Sequence, residues 1–285
     1  MNIKEPIINP YNSKNKLITD SDIKKIFANF NLNIEINDIN NYILALTHKS
    51  YIQKEYYNKH WKYIQKYKTD KILELRSESN ERLEFLGDTI IKAVIAEYLY
   101  KRYPKENEGF MTKLKTKIED KTALAKFAKL IGIDDFILIS LQNETNSIGR
   151  VNEKILEDAF ESFMGAIYLD SGFHKCKQFL TYILENEINY SDIIFNDNNY
   201  KDQLLRYYHS INWKHPQYIL LKETGIGNKK MFTMGVLDND NNIVLHATDN
   251  SKRKAEQKVS KYALFKYGKL NNEQLQDIDL ELLNI

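Results

Sequence analysis

Over most of the first 190 positions, hydrophobic residues recur at helical spacing, which predicts a succession of helices. Ile23, Ile26, Phe27 and Phe30 form one apolar stripe, with Ser21 as the expected N-cap and Asp22 in the first turn. Ile39, Ile43, Leu44 and Leu46 form a second, ahead of Thr47-His48-Lys49-Ser50-Tyr51. Leu83, Leu86 and Ile90 give the apolar side of a helix through the stretch NERLEFLGDT, and Pro104 stops that run. Phe110 to Leu130 is again helical by spacing, with Glu108 at its start and Gly132 at its end. Ile155, Ala159, Phe163, Ala166 and Ile167 build the buried side of a helix within Val151 to Asp170. Residues 1–20 are polar, contain Pro6 and Pro10, and read as a loose leader. Tyr51 to Ser79 lacks a clean period and reads as an exposed helical insertion or a mobile loop.

The pattern changes near residue 200. Tyr200 to Ser210 is helical, after a short linker at Asn196 to Asn199. Gln217 to Glu223, Lys230 to Leu237 and Asn242 to Thr248 then read as strands, broken by Gly225, Gly227 and the Asp238-Asn-Asp turn. A last helix starts at Ser251, a good N-cap, and residues 271–285 form an acidic extension.

Composition narrows the class. With 285 residues, 42% of them hydrophobic, the chain can bury a substantial core in two domains. No apolar run approaches the ~18 residues of a membrane span and no secretory signal stands at the N-terminus, so no membrane partner and an intracellular, cytoplasmic location are expected (the host cytoplasm for a viral source). Its lone cysteine, Cys176, allows no intramolecular disulfide and suits a reducing compartment. The net charge of +2 is unevenly spread: Lys201 to Lys269 holds 13 Lys and Arg against six Asp and Glu, leaving the remainder at −5. A basic C-terminal third suggests a polyanion-binding module on a body with another task; a basic solvated surface is the alternative.

Candidate chemistry lies in two acidic helices. Glu81, Glu84 and Asp88 fall on one helical face, as do Asp158 and Glu161 on the later helix. Gly87 sits mid-helix, where it costs roughly 1 kcal/mol relative to alanine, and a second backbone packed against it would offset that cost. If the later helix crosses there, aided by Gly165 and Ala166, Glu84, Asp88, Asp158 and Glu161 converge. Oxygen-only ligands suit a hard cation, Mg2+ or Mn2+. Solvated acidic faces are the plainer reading of each helix alone. His48 reads as a hydrogen-bonded structural residue or a proton-transfer group. The mixture of Tyr, Trp and Lys in residues 56–68 suits nucleic acid, or lysines snorkelling over a small apolar patch.

NERLEFLGDT resembles the signature of the ribonuclease III family. Leu46 to Tyr51 is similar to the motif that precedes it there, and Asp158-Ala-Phe-Glu161 with Gly165 to Gly172 resembles the family's second acidic helix. The resemblance runs from about Ile26 to Gly268. It implies an all-α endonuclease domain (21–195, with an insertion near 52–79) followed by a small α+β (α-β-β-β-α) double-stranded RNA-binding domain (200–270). It further implies a homodimer that cuts double-stranded RNA to leave 5′-phosphate and 3′-hydroxyl ends with short 3′ overhangs. Carried over by position, Glu84, Asp88, Asp158 and Glu161 would be metal ligands, Asp88 and Glu161 also catalytic. Glu81, Phe85, Glu108 and Lys154 would support the dimer or the RNA channel; for Phe85 the alternative is core packing within one subunit. SKRKAEQKV matches the RNA-binding helix, which implies RNA contacts by Lys252, Arg253 and Lys258, and the resemblance to the domain as a whole adds Asn228. Asn228 stands where that family usually has histidine, and Ala247 and Asp249 replace glycines. A catalytically silent duplex-binding protein, or a structural subunit of a larger assembly, would share this pattern without cleaving.

Overall fold

The computed structural model describes residues 9–70, 72–146, 149–190, 193, 199–226 and 229–270. Leader residues 1–8, Asn228 and the acidic extension 271–285 lie outside them. Two compact units are present, residues 1–193 and 194–285.

The first unit is helical. Its described helices are α1 (Asp20–Asn29), α2 (Ile39–Ala45), α3 (Glu55–Lys59), α4 (Trp61–Ile64), α5 (Glu81–Arg102), α6 (Glu108–Ile118), α7 (Lys121–Leu130), α8 (Leu141–Asn146) and α9 (Glu153–Asn186). The long helices α5 and α9 pack on each other, and α2 and α7 pack on α9. The interior is aromatic: Phe27 lies 5.0 Å from Phe179, Tyr42 5.5 Å from Phe163 and Phe127 5.6 Å from Phe160, ring centre to ring centre. These distances are those at which ring pairs attract beyond simple burial.

Several local expectations are corrected. The segment ahead of α1 is not a loose leader from residue 9 onward. Asn12 and Asn15 are buried and donate side-chain N–H groups to the Ile139 carbonyl at 3.2 and 3.0 Å, while the Ile139 N–H donates to Asn15 at 3.2 Å. A polar stretch is buried here because its amides satisfy backbone groups that water would otherwise have to reach. Thr19, not Ser21, caps α1: its hydroxyl oxygen accepts from Asp22 N–H, and the Asp22 carboxylate accepts from Thr19 N–H at 3.0 Å, a capping box. The single helix expected over Phe110 to Leu130 is two. Chain direction changes at Glu119-Asp120, where Asp120 caps α7 by accepting from Ala123 N–H at 2.8 Å. The helix expected to end at Asp170 continues to Asn186 through a kink at Gly172, whose φ of 79° suits glycine.

The described residues between 51 and 79 fold around a few buried side chains. Tyr51, Tyr57, Ile64 and Leu75 turn inward, and Tyr51 donates its hydroxyl to the Leu73 carbonyl at 2.7 Å. The two ends of the insertion are tied together: Gln53 N–H donates to Arg76 O at 2.8 Å, and Arg76 N–H to Tyr51 O at 3.0 Å.

The second unit has α10 (Tyr200–Ser210), strands β1 (Tyr218–Thr224), β2 (Met231–Leu237) and β3 (Ile243–Asp249), and α11 (Lys252–Lys266). The sheet is antiparallel in the order β1-β2-β3, with Tyr218 opposite Val236 and Phe232 opposite Asp249. Leu204 and Tyr208 of α10 meet Val236, Leu245 and Ala247 of the sheet and Val259, Tyr262 and Ala263 of α11 in one core. Alternation along β3 turns Leu245 and Ala247 inward, β2 buries Met234 to Val236, and the turn residues Asp238 to Asn241 close the hairpin.

Candidate metal centre and nucleic-acid interface

Helices α5 and α9 cross backbone to backbone. A Cβ built on Gly87 would lie 1.7 Å from the Glu161 carbonyl oxygen, and one on Gly165 would lie 2.5 Å from the Leu83 carbonyl oxygen. Only glycine permits this approach at both positions. The crossing brings one turn of each acidic helix face to face.

Glu84, Asp158 and Glu161 each direct a carboxylate oxygen into this crossing, all within 4.8 Å of one another. Asp158 and Glu161 are 8% and 6% exposed. Burial, followed by the neighbouring Asp88 and Glu157 charges, pushes the Glu161 carboxyl up to about 8. Burial and the Asp158 charge also raise the pKa of Glu84. Carboxylates crowded out of water in this way resist ionising together unless a cation is supplied. Lys154, one turn before Asp158, supplies one: its Nζ lies 2.6 Å from Asp158, 3.2 Å from Glu157 and 3.7 Å from Glu84. Hydrogen bonding and charge from Asp158 outweigh its desolvation and raise its pKa, so it stays protonated.

Of the four expected ligands, three meet in this group. Asp88 lies a full turn beyond Glu84, and its carboxylate accepts from Lys92 Nζ at 2.7 Å, outside the group of three. It remains close enough that its charge is the largest electrostatic cause of the Glu161 shift. Glu157 and Lys92 had no sequence signal beyond ordinary i,i+3 and i,i+4 spacing, yet both shape the charge of the cluster.

The remaining candidates separate from the cluster. Glu81 is held by Ser79 and Lys49, at 3.0 and 3.3 Å; these hydrogen bonds lower its pKa, the one from Ser79 most. Glu108 opens α6, is exposed, and accepts from the Thr112 hydroxyl at 2.8 Å. Phe85 is 80% exposed, which removes packing within its own subunit as its role. His48 is buried against Ser50 at 2.9 Å, and burial lowers its pKa, as suits a neutral structural histidine.

In the second unit, Ser251 caps α11 by accepting from Lys254 N–H at 3.3 Å. Lys252 and Arg253 are exposed in the first turn and Lys258 is half-buried; none forms an ion pair among the described residues. Lys252 lies 5.7 Å over the Phe232 ring. Backbone N–H groups, the helix dipole and these cations coincide at one end of α11, an arrangement suited to phosphate.

Both units match family models: residues 38–187 the ribonuclease-III-like model, and residues 200–267 the double-stranded RNA binding motif. The chain is 39% identical over 254 residues to a probable ribonuclease 3 of Acanthamoeba polyphaga mimivirus, covering 88% of this chain but 46% of that protein. It is 33% identical over 237 residues to ribonuclease 3 of Borreliella burgdorferi, covering 82% of this chain and 87% of the relative. The solved nuclease domain of Campylobacter jejuni ribonuclease III aligns with 61% of this chain and 99% of that one, at 31% identity and a TM-score of 0.47. The chain belongs to the ribonuclease III family. In class it is a double-strand-specific endoribonuclease, with a helical nuclease domain followed by a double-stranded RNA-binding domain. Among the described residues no helix is long and apolar enough to cross a membrane.

Proposed function

We propose that two copies of this chain form a cytoplasmic homodimer that binds duplex RNA and hydrolyses both strands at two acidic centres. The observation that carries this reading is the group of three carboxylates assembled at a glycine-permitted helix crossing. A solved Campylobacter jejuni ribonuclease III nuclease domain is described for a region involved in dimer formation. Phe85, exposed beside a cluster residue, is our candidate for the corresponding contact.

Glu84, Asp158 and Glu161, with Asp88 at the margin, fit a divalent cation: the donors are all oxygen, and burial, followed by the Asp88 charge, already raises the pKa of Glu161. We assign Mg2+ to this position, with Mn2+ as a substitute. Such an ion, when bound, supplies neutralisation of phosphate charge and activation of water. The chain's own groups do the rest. Attack of water on phosphorus breaks the bond to the 3′ oxygen, which leaves as a hydroxyl after taking up a proton, while the phosphate stays on the 5′ side. Asp88 and Glu161 orient this attack. Lys154 Nζ, already held by Asp158, offers a fixed positive charge to a phosphate oxygen. No side-chain nucleophile is needed. Short 3′ overhangs follow if the two centres cut opposite strands a few base pairs apart.

Across α11, Lys252, Arg253 and Lys258 would meet duplex phosphates, reading A-form shape rather than sequence. Asn228 is assigned to the same surface from sequence alone.

The test is cleavage of a labelled RNA duplex in Mg2+ by wild type and Glu161→Gln. Overhanging 5′-phosphorylated products from wild type, and none from a variant that still binds, support the assignment. A wild type that binds duplex without cutting it in Mg2+ or Mn2+ would make the chain a duplex-binding protein.

A further inference from the structure

The insertion between residues 54 and 72 carries three exposed aromatic side chains close together in sequence. Within eight residues, Trp61, Tyr63 and Tyr67 are 39%, 54% and 45% exposed, while Ile64 between them is fully buried and fixes the segment to the body. Three large rings on one short stretch are unusual for a surface with nothing to cover. They alternate with cations: residues 54–70 contain Lys54, Lys59, Lys62, Lys66 and Lys68 against Glu55 and Asp70. Lys59 is paired with Glu55 at 2.8 Å and Lys68 with Glu74. Lys54, Lys62 and Lys66 have no ion pair among the described residues, and Lys66 stands 5.7 Å over the Tyr63 ring.

The root of the insertion lies beside the acidic crossing. Its closing strand-like pair, Ile52 with Arg76, is followed within four residues by Asn80, whose N–H donates to Thr47 O at 2.9 Å and whose carbonyl accepts from Glu84 N–H at 2.9 Å. Buried His48 feels both the Asp158 carboxylate and the Lys54 ammonium.

We propose that this insertion is a second RNA-binding surface, which takes unpaired nucleotides adjoining the duplex held at the acidic centre. The inference rests on the duplex-cleavage reading for the position of that duplex. Exposed rings interleaved with lysines match a single strand: bases that are not paired offer free faces to stack, and the phosphates between them meet the ammonium groups. Bases inside a duplex are already stacked and offer no face to these rings. The preferred substrate is therefore a duplex ending in a loop, bulge or single-stranded extension.

The test uses the full chain in EDTA, so that binding is read without metal-dependent turnover, and two RNA probes: a blunt duplex, and the same duplex with a ten-nucleotide single-stranded extension. Wild type should bind the extended probe at least about tenfold more tightly, given the usual worth of stacking on one or two rings. Trp61→Ala/Tyr63→Ala/Tyr67→Ala should lose that preference while keeping blunt-duplex affinity and Mg2+-dependent cleavage. Trp61→Phe, which keeps a ring, should keep the preference. Equal wild-type affinity for the two probes, with normal cleavage, overturns the insertion's role and leaves the nuclease assignment intact; absence of cleavage of any duplex overturns the nuclease assignment itself. A triple variant that dissociates the dimer with its probe preference unchanged also overturns the proposal, since the rings then serve a protein contact.

Discussion

Gly87→Ala is the sharpest perturbation of the crossing. The added methyl would sit 1.7 Å from the Glu161 carbonyl oxygen, and a relaxed carbon–oxygen contact is about 3.3 Å. The helices must therefore part by about 1.6 Å or shift along each other. Overpacking of this kind costs about 1–3 kcal/mol, and contact with backbone rather than a pliable side chain puts it at the upper end. Alanine's better helix propensity offsets about 1 kcal/mol of that. The net loss of about 2 kcal/mol corresponds to a melting temperature lower by about 4–8 °C for a unit of this size. Function should suffer more than stability. The three carboxylates come from both helices, so a displacement above 1 Å changes their separation directly and should reduce Mg2+-dependent cleavage by about 100-fold. Gly109→Ala is the control, because its methyl would meet only Asn107 Oδ1 at 3.4 Å. Thermal melts and single-turnover cleavage of both variants check the prediction. A Gly87→Ala protein with wild-type melting temperature and wild-type cleavage would refute the argument that close helix approach builds the site.

Other expectations follow from single residues. Glu161 has a folded-state pKa of about 8 against 4.5 for the free group, so the folded state holds its proton more tightly than the unfolded one. Stability of the metal-free protein from this group should be fully present below about pH 4.5 and fall through about pH 8, by on the order of 5 kcal/mol. The difference in melting temperature between wild type and Glu161→Gln in EDTA should show that slope, and no difference in slope would exclude it. Phe85→Ser should leave monomer stability within about 0.5 kcal/mol yet weaken self-association by at least about 100-fold, because a symmetric interface loses two buried rings; sedimentation equilibrium reads both species. Ser251→Ala removes the cap of α11 and should cost the RNA-binding unit about 1 kcal/mol in urea unfolding.

Much of the architecture was legible in the residues because local and tertiary signals agreed. The three strands lie within one residue of their expected bounds, since Gly225, Gly227 and the Asp238 turn punctuate the extended runs. Gly87 and Gly165 pointed to the crossing through the cost of glycine within a helix, and the backbone contacts account for that cost. What the sequence hid were features set by partners distant along the chain. Asn12 and Asn15 look like solvent-facing residues until Ile139 is brought beside them. Asp88 shares a helical face with Glu84, but Lys92 turns its carboxylate aside, and spacing alone cannot weigh a neighbouring lysine against a cluster two helices wide. Ser21 lies nearer the apolar stripe than Thr19, but Asp22, three residues after Thr19, completes a capping box only with Thr19.

The central claim, that carboxylates from α5 and α9 together hold a divalent cation, is tested most directly by titrating Mn2+ into the metal-free full chain and counting bound ion by electron paramagnetic resonance. Wild type should show saturable binding that Mg2+ displaces. Glu161→Gln and Glu84→Gln, one from each helix, should each lose it while retaining the wild-type circular dichroism spectrum. Undiminished Mn2+ binding by both folded variants would contradict the site.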